Sequence, residues 1–304
     1  MSAASEPEPS TSAVRHAEAR PVGTTALLQA LRYLFVTSRP LGWIAAVGLY
    51  RIGMAYGNTP DTPATWAVSA ALSWPFCLFL FGLNDLADAA SDRVNPRKGS
   101  WIHGAREPFA GTRWARAAPW LGGAAVLSCA LALPWRGAVI LAVVLAVAWT
   151  YSSPPFRLKE VPVVDGLSTA TIMIGLLGAG YESGSALMAI PAESWAVAPT
   201  LAGLHIFASV VDVGSDREAG HKTLAVRAGP RVATVTALSL SLVSAATVPV
   251  LDYAPAIALY VLLQPLVFAA AWLFPKRLPP RRALNVVGLA GIVTLLYMLL
   301  VYLR

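Results

Sequence analysis

The 304-residue sequence is poor in charge: Asp, Glu, Lys and Arg make up 13% of it, where soluble domains run near a quarter. With 56% hydrophobic residues, that scarcity excludes an ordinary soluble domain. Cysteine is nearly absent. Cys77 and Cys129 both fall inside apolar stretches, which excludes a disulfide or thiolate-metal framework. The four histidines, His16, His103, His205 and His221, are scattered, and this argues against a histidine-ligated metal. Residues 1–25 lack the apolar run of a signal peptide. Rich in Ala, Ser, Pro and Glu, they read as a disordered cytoplasmic tail, leaving 26–304 as one domain.

What is present is a series of apolar runs. A membrane-crossing helix needs about 20 apolar residues. That ruler marks about nine segments, near 41–57, 64–83, 117–134, 137–151, 166–182, 195–211, 231–251, 254–274 and 284–303. The formal charge of +7 comes mostly from short loops between them. Arg93, Arg97, Lys98, Arg106, Arg113 and Arg116 follow the second segment, and Arg157 and Lys159 the fourth. Arg217, Lys222, Arg227 and Arg231 follow the sixth, and Lys276, Arg277, Arg281 and Arg282 the eighth. The opposite loops hold little base beyond Arg136. The asymmetry predicts an all-α, multi-pass integral membrane bundle with a cytoplasmic N-terminus and an outer C-terminus. It also accounts for the basicity without nucleic acid. The second and sixth segments both end in aspartates and a basic loop, an echo that suggests two four-helix halves plus a ninth helix.

The first acidic cluster is Asn84-Asp85-Leu86-Ala87-Asp88-Ala89-Ala90-Ser91-Asp92. On a continuous helix Asp85, Asp88 and Asp92 lie within about 60° of one another. Carboxylates so placed repel unless a cation sits among them, and magnesium suits because it takes one or two carboxylates with waters and phosphate oxygens. Asn84 adds a neutral oxygen or a donor to phosphate. A solvated helix end is the plainer alternative, but the run Trp74–Leu83 before it is almost wholly apolar. The loop from Arg93 to Gly99 is basic and suits a clamp on phosphate, although topogenic charge explains any one of its bases alone. The second cluster holds Asp212 and Asp216 at i, i+4 spacing, followed by Arg217, His221, Lys222 and Arg227. Between the two, Tyr151-Ser152-Ser153-Pro154-Pro155-Phe156-Arg157-Leu158-Lys159 joins segments four and five. Tyr151 is either an interfacial anchor or a phenol lining a cavity, and Asp165 is placed to cap the next helix.

Together, Asn84-Asp85-x-x-Asp88-x-x-x-Asp92, Tyr151-Ser152-x-Pro154-Pro155-x-Arg157-Leu158-Lys159 and Asp212-x-x-x-Asp216-x-x-x-Gly220-x-x-Thr223-Leu224 resemble the UbiA superfamily of intramembrane prenyltransferases. The resemblance covers about residues 30–304. It implies that Asp85, Asp88, Asp92, Asp212 and Asp216 hold two or more magnesium ions against a prenyl diphosphate. Arg93, Arg157, Lys159 and Lys222 stand where the family carries its basic residues, with Lys98 in the same clamp and Tyr151 near the reacting carbon. Gly214 departs from members that carry an acid there. The run Asn95-Pro96-Arg97-Lys98-Gly99 is similar to the branch that extends carotenoids such as lycopene. The Tyr-Ser-x-Pro-Pro segment resembles that branch and the chlorophyll and archaeal-lipid enzymes. The implied reaction is prenyl transfer to a lipophilic acceptor (aromatic, polyene or lipid) at a cytoplasm-facing site among membrane lipids. The same clusters serve a terpene cyclase acting without acceptor. A transporter is the third alternative, although its charges belong nearer the bilayer midplane.

Overall fold

A computed structural model describes residues 24–93, 98–106, 113–182 and 190–302. Most of the expected tail, and Arg97, lie outside these. Among the described residues the chain is helical, with one isolated β-bridge between Ser100 and Gly104.

The helices are α1 (Thr24–Thr37), α2 (Pro40–Tyr56), α3 (Pro63–Leu72), α4 (Trp74–Ala87), α5 (Ala89–Asp92), α6 (Arg113–Ala130), α7 (Trp135–Ser152), α8 (Val164–Tyr181), α9 (Ala192–Ala196), α10 (Ala198–Glu218), α11 (Leu224–Arg227), α12 (Pro230–Ala245), α13 (Pro255–Leu273) and α14 (Pro280–Tyr302), with a 3-10 turn at Leu158–Glu160. Proline opens α2, α3, α12 and α13, where its missing N–H costs nothing and its fixed φ suits the first turn. Thr62 caps α3, exchanging hydrogen bonds with Thr65. Helices overlap all the apolar segments marked in the sequence. Five stretches among the described residues are long and apolar enough to cross a membrane: Pro63–Ala87, Trp135–Ser152, Ala192–Glu218, Pro255–Leu273 and Pro280–Tyr302. The first is α3 and α4 in series, bent at Ser73 just before Pro75, the usual place for a kink. Helix α1 has no counterpart among the expected spans. It exposes Leu27, Leu28, Leu31 and Phe35 while burying Tyr33.

Two large apolar cores and two smaller clusters form among the described residues. One draws Tyr50, Leu72, Phe76, Leu141, Val144 and Leu176 from α2, α3, α4, α7 and α8. The other joins α10 to α14, with Phe207 and Phe268 stacked at 4.1 Å between ring centroids. Inside the second core the buried Gln264 amide donates to the Thr200 carbonyl and to Ser241 Oγ, each at 2.8 Å, so a costly buried polar group ties α10, α12 and α13 together. Helix α8 runs between the two cores, packed on α2, α7 and α10. Its contact with α2 is unusually close. A Cβ at Gly180 would sit 1.9 Å from the Tyr50 carbonyl oxygen, so glycine is required for the backbones to meet, as at small-residue interfaces of membrane helices. The ends of α4, α7 and α10 consequently gather around one cavity.

Candidate active site

The cavity measures about 500 Å³ and is lined by Asn84, Asp88 and Asp92 from one side and Asp212, Ser215 and Asp216 from the other. Deeper walls are apolar, with Ala46, Leu49, Phe76, Leu80, Met173 and Leu176. A side cleft of about 170 Å³ extends past Lys159, Glu160 and Thr223. A second cavity of about 270 Å³ shares Ala45, Leu49 and Met173 with the first and is lined almost entirely by apolar groups. The two acidic stretches, more than a hundred residues apart in sequence, thus face one space.

Helix α4 stops at Ala87, and Asp88 is its C-cap with φ −103° and ψ 10°. The single continuous face expected for Asp85, Asp88 and Asp92 is therefore broken: Asp85 and Asp92 share Lys98, while Asp88 meets Lys159 and Arg157. Asp88 Oδ2 lies 2.5 Å from Lys159 Nζ, and its Oδ1 lies 3.4 Å from Arg157 Nη2. Lys159 also donates to Asn84 Oδ1 at 3.1 Å. Arg157 adopts a left-handed φ of 41° at the turn before Leu158–Glu160 and is braced by Glu160 Oε1 at 2.6 Å. Glu160 in turn meets His221 Nδ1 at 3.3 Å, so the middle loop and the second acidic segment are joined. Burial lowers the Lys159 ammonium pKa below its ordinary value, with Asp88 pulling the other way. Asp92 pairs with Lys98 at 2.6 Å. Burial raises its pKa to about 6 despite that lysine.

Asp85 turns away from the cavity. Its side chain is 2% exposed, and Oδ1 takes both Arg39 Nη2 and Lys98 Nζ at 2.7 Å. Its Oδ2 accepts the Ala105 N–H at 3.3 Å. Gly104, at φ +88°, closes this nest. A Cβ there would meet Asp85 Oδ2 and Arg39 Nε at 2.8 Å each. Asp85, expected among the metal ligands, here anchors two cations at the cavity wall. Arg39 itself lines the cavity and lies over the Phe81 ring at 4.4 Å. It sits in a left-handed turn, φ 48°, between α1 and α2, far from every acidic motif, which is why motif spacing gave no hint of it. Arg93 and Lys222 also stand apart: both are exposed and line neither the cavity nor the cleft. After the turn at Gly220, His221 takes the inward position, and its neighbour Lys222 points outward. Asp85→Asn should lower folding stability in detergent by about 3 kcal/mol, because two buried cations lose their shared charge partner. A thermal melt unchanged from wild type would refute the anchoring role.

Tyr151 lines the cavity, and its hydroxyl lies 2.8 Å from His205 Nε2. The imidazole is a site residue that the sequence reading passed over, although its i, i+7 spacing from Asp212 signals a shared helix face. Among the described residues, no three carboxylate, imidazole or thiolate groups form a closed metal cage. The donors are nevertheless hard oxygens, and magnesium commonly takes only one or two carboxylates and completes its shell with water and phosphate. An open set of four cavity-lining aspartates and one asparagine fits that preference.

Residues 41–292 match the family model described as UbiA prenyltransferase family. A lycopene elongase/hydratase of Haloarcula japonica is 33% identical over 207 residues, covering 66% of this chain and 68% of that protein. Another of that description, from Halobacterium salinarum, is 31% identical, covering 73% of this chain and 80% of its own length. In fold, the chain is similar to a UbiA homologue from Archaeoglobus fulgidus bound to DMAPP and Mg2+, with a TM-score of 0.73 and 21% identity over 89% of this chain and 99% of that one. The paired acidic segments, the helical bundle and these similarities agree that the chain belongs to the UbiA prenyltransferase family.

Proposed function

We propose that this protein transfers a prenyl group from a prenyl diphosphate to a long polyene acceptor of the lycopene class, at a site open to the cytoplasmic side of the membrane. One observation carries the reading. Acids from α4–α5 and α10 face a single cavity whose deeper walls are largely apolar, as a substrate with an anionic head and a hydrocarbon tail requires. The polyene assignment is favoured by the apolar second cavity that shares three lining residues with the first and by relatives described as lycopene elongase/hydratases. The cytoplasmic assignment rests on the basic loops at this end.

Asp88, Asp92, Asp212 and Asp216, with Asn84, are the residues to hold magnesium. Bound there with diphosphate, the metal would neutralise the leaving group as the C1–O bond breaks. Lys98, Lys159, Arg157 and Arg39 supply the remaining positive charge. Lys159 and Lys98 are paired with acids in the resting protein, and they exchange those partners for phosphate oxygens when substrate and metal arrive. Fixed charges act strongly in such a water-poor space. Phe76 and Tyr151 line the same space, where an aromatic ring face stabilises an allylic cation while the apolar walls exclude water.

The test is product analysis. Membranes containing lycopene and this protein, given DMAPP and magnesium, should yield a carotenoid heavier by one or two isoprene units. An unaltered carotenoid pool would refute the polyene assignment. A cyclic hydrocarbon or alcohol formed without acceptor would identify a cyclase instead.

A further inference from the structure

Beneath the acids, Tyr151 and His205 meet across the cavity wall. Their rings are edge-on with centroids 5.9 Å apart, the phenol oxygen lies 2.8 Å from Nε2, and both side chains line the main cavity and the side cleft. His205 precedes Asp212 by two helical turns, so it lies about 10 Å deeper along α10. Asp165, in the first turn of α8 and only 2% exposed, lines the same cleft as His205 and keeps one oxygen on the Gly166 N–H at 2.6 Å. An imidazole, a phenol and a carboxylate are expensive in an apolar wall, and ionisable groups kept at such depth mark function more often than packing. The mechanism above uses none of them to move a proton.

We propose that Tyr151 and His205 are the proton-accepting pair of the reaction, with Asp165 a positioning residue that balances the charge on the imidazole. The inference rests on the prenyl-transfer reading. Once C1 of the prenyl group has bonded to an acceptor alkene carbon, positive charge resides on the neighbouring acceptor carbon. A C–H bond beside that carbon breaks, and its electron pair forms the new C=C bond. The proton passes to the Tyr151 oxygen as that oxygen's own proton passes to His205 Nε2. The imidazolium so formed faces Asp165 and returns its proton to water through the polar cleft past Glu160 and His221. The sequence alone left the final base open, with diphosphate as its own base an alternative.

The experiment uses the full chain in detergent with DMAPP and lycopene as the probe acceptor, comparing wild type with His205→Gln, Tyr151→Phe and Asp165→Asn. Proton transfer by a positioned group contributes about 10²–10⁴-fold. His205→Gln and Tyr151→Phe should each lose about 10²-fold in kcat, while KM for DMAPP stays within about twofold because the diphosphate clamp is untouched. The product should shift from alkene towards alcohol, as water captures a cation that no longer sheds its proton. Asp165→Asn should shift the same ratio by a smaller amount. An unchanged kcat and alkene-to-alcohol ratio in His205→Gln would overturn the proposal. Tyr151→Phe, which removes one oxygen and keeps the ring, decides the matter if the histidine variant fails to fold. Wild type that forms no elongated product would overturn the prenyl-transfer reading itself, and the proposal with it.

Discussion

Asp212→Asn should yield a folded protein whose kcat/KM falls by about 10³-fold or more at saturating magnesium. The reason lies in the charge arrangement. The first acidic segment already meets four cations: Asp85 binds Arg39 and Lys98, Asp92 shares Lys98, and Asp88 holds Lys159 and Arg157. The carboxylates of the second segment, Asp212 and Asp216, line the opposite wall of the cavity and, in the proposed mechanism, would hold the divalent ion that neutralises diphosphate. Metal stabilisation of a leaving group is worth several kcal/mol, and about 4 kcal/mol corresponds to roughly 10³ in rate. Asparagine keeps the shape and one oxygen but removes the charge. Steady-state kinetics with gel filtration as the folding control checks this; activity within tenfold of wild type would contradict it.

Lys159→Met is the second large effect, and it acts in two directions. The ammonium is 8% exposed and bonded to both Asp88 and Asn84. It pairs with Asp88 at rest and, in the proposed mechanism, turns to a phosphate oxygen when substrate binds. A charge-assisted hydrogen bond is worth about 1.5–3 kcal/mol, so KM for the prenyl diphosphate should rise by about 10–100-fold. Metal binding without substrate should move the other way, because the variant frees the Asp88 carboxylate from its competing cation. Mn2+ titration of the substrate-free variant should therefore show tighter binding than wild type. Weakened binding in both assays would mean that Lys159 serves packing alone.

Much of this was legible in the sequence. Apolar runs located the helices because a membrane span must bury an entire backbone's hydrogen bonding within itself. The Asp clusters announced themselves because acids beside apolar runs are costly. The facing of individual side chains was less legible, for a local reason. A 3.6-residue period predicts one face for Asp85, Asp88 and Asp92 only if the helix continues, and it stops at Asp88. Asp85, still inside α4, meets Arg39 and the Gly104 turn, partners contributed by segments far from it in sequence. Arg39 had no motif to mark it. Its role arises because the left-handed turn between α1 and α2 brings a guanidinium over Phe81. His205 was legible: it stands on the Asp212 face of α10, seven positions before it, or about two helical turns. Lys222 shows the same limit: it stands in the basic loop after Asp216, but it is exposed, and its neighbour His221 takes the inward position.

The most direct measurement is a crystal structure with Mn2+ and a non-ionising thiolo analogue of DMAPP, with the metals located by anomalous scattering. The account predicts manganese bound to oxygens of both Asp88 and Asp212 or Asp216, with the diphosphate between them and Lys159 moved from Asp88 to a phosphate oxygen. Metal and diphosphate seated on one acidic segment alone, with the other left facing solvent, would contradict it.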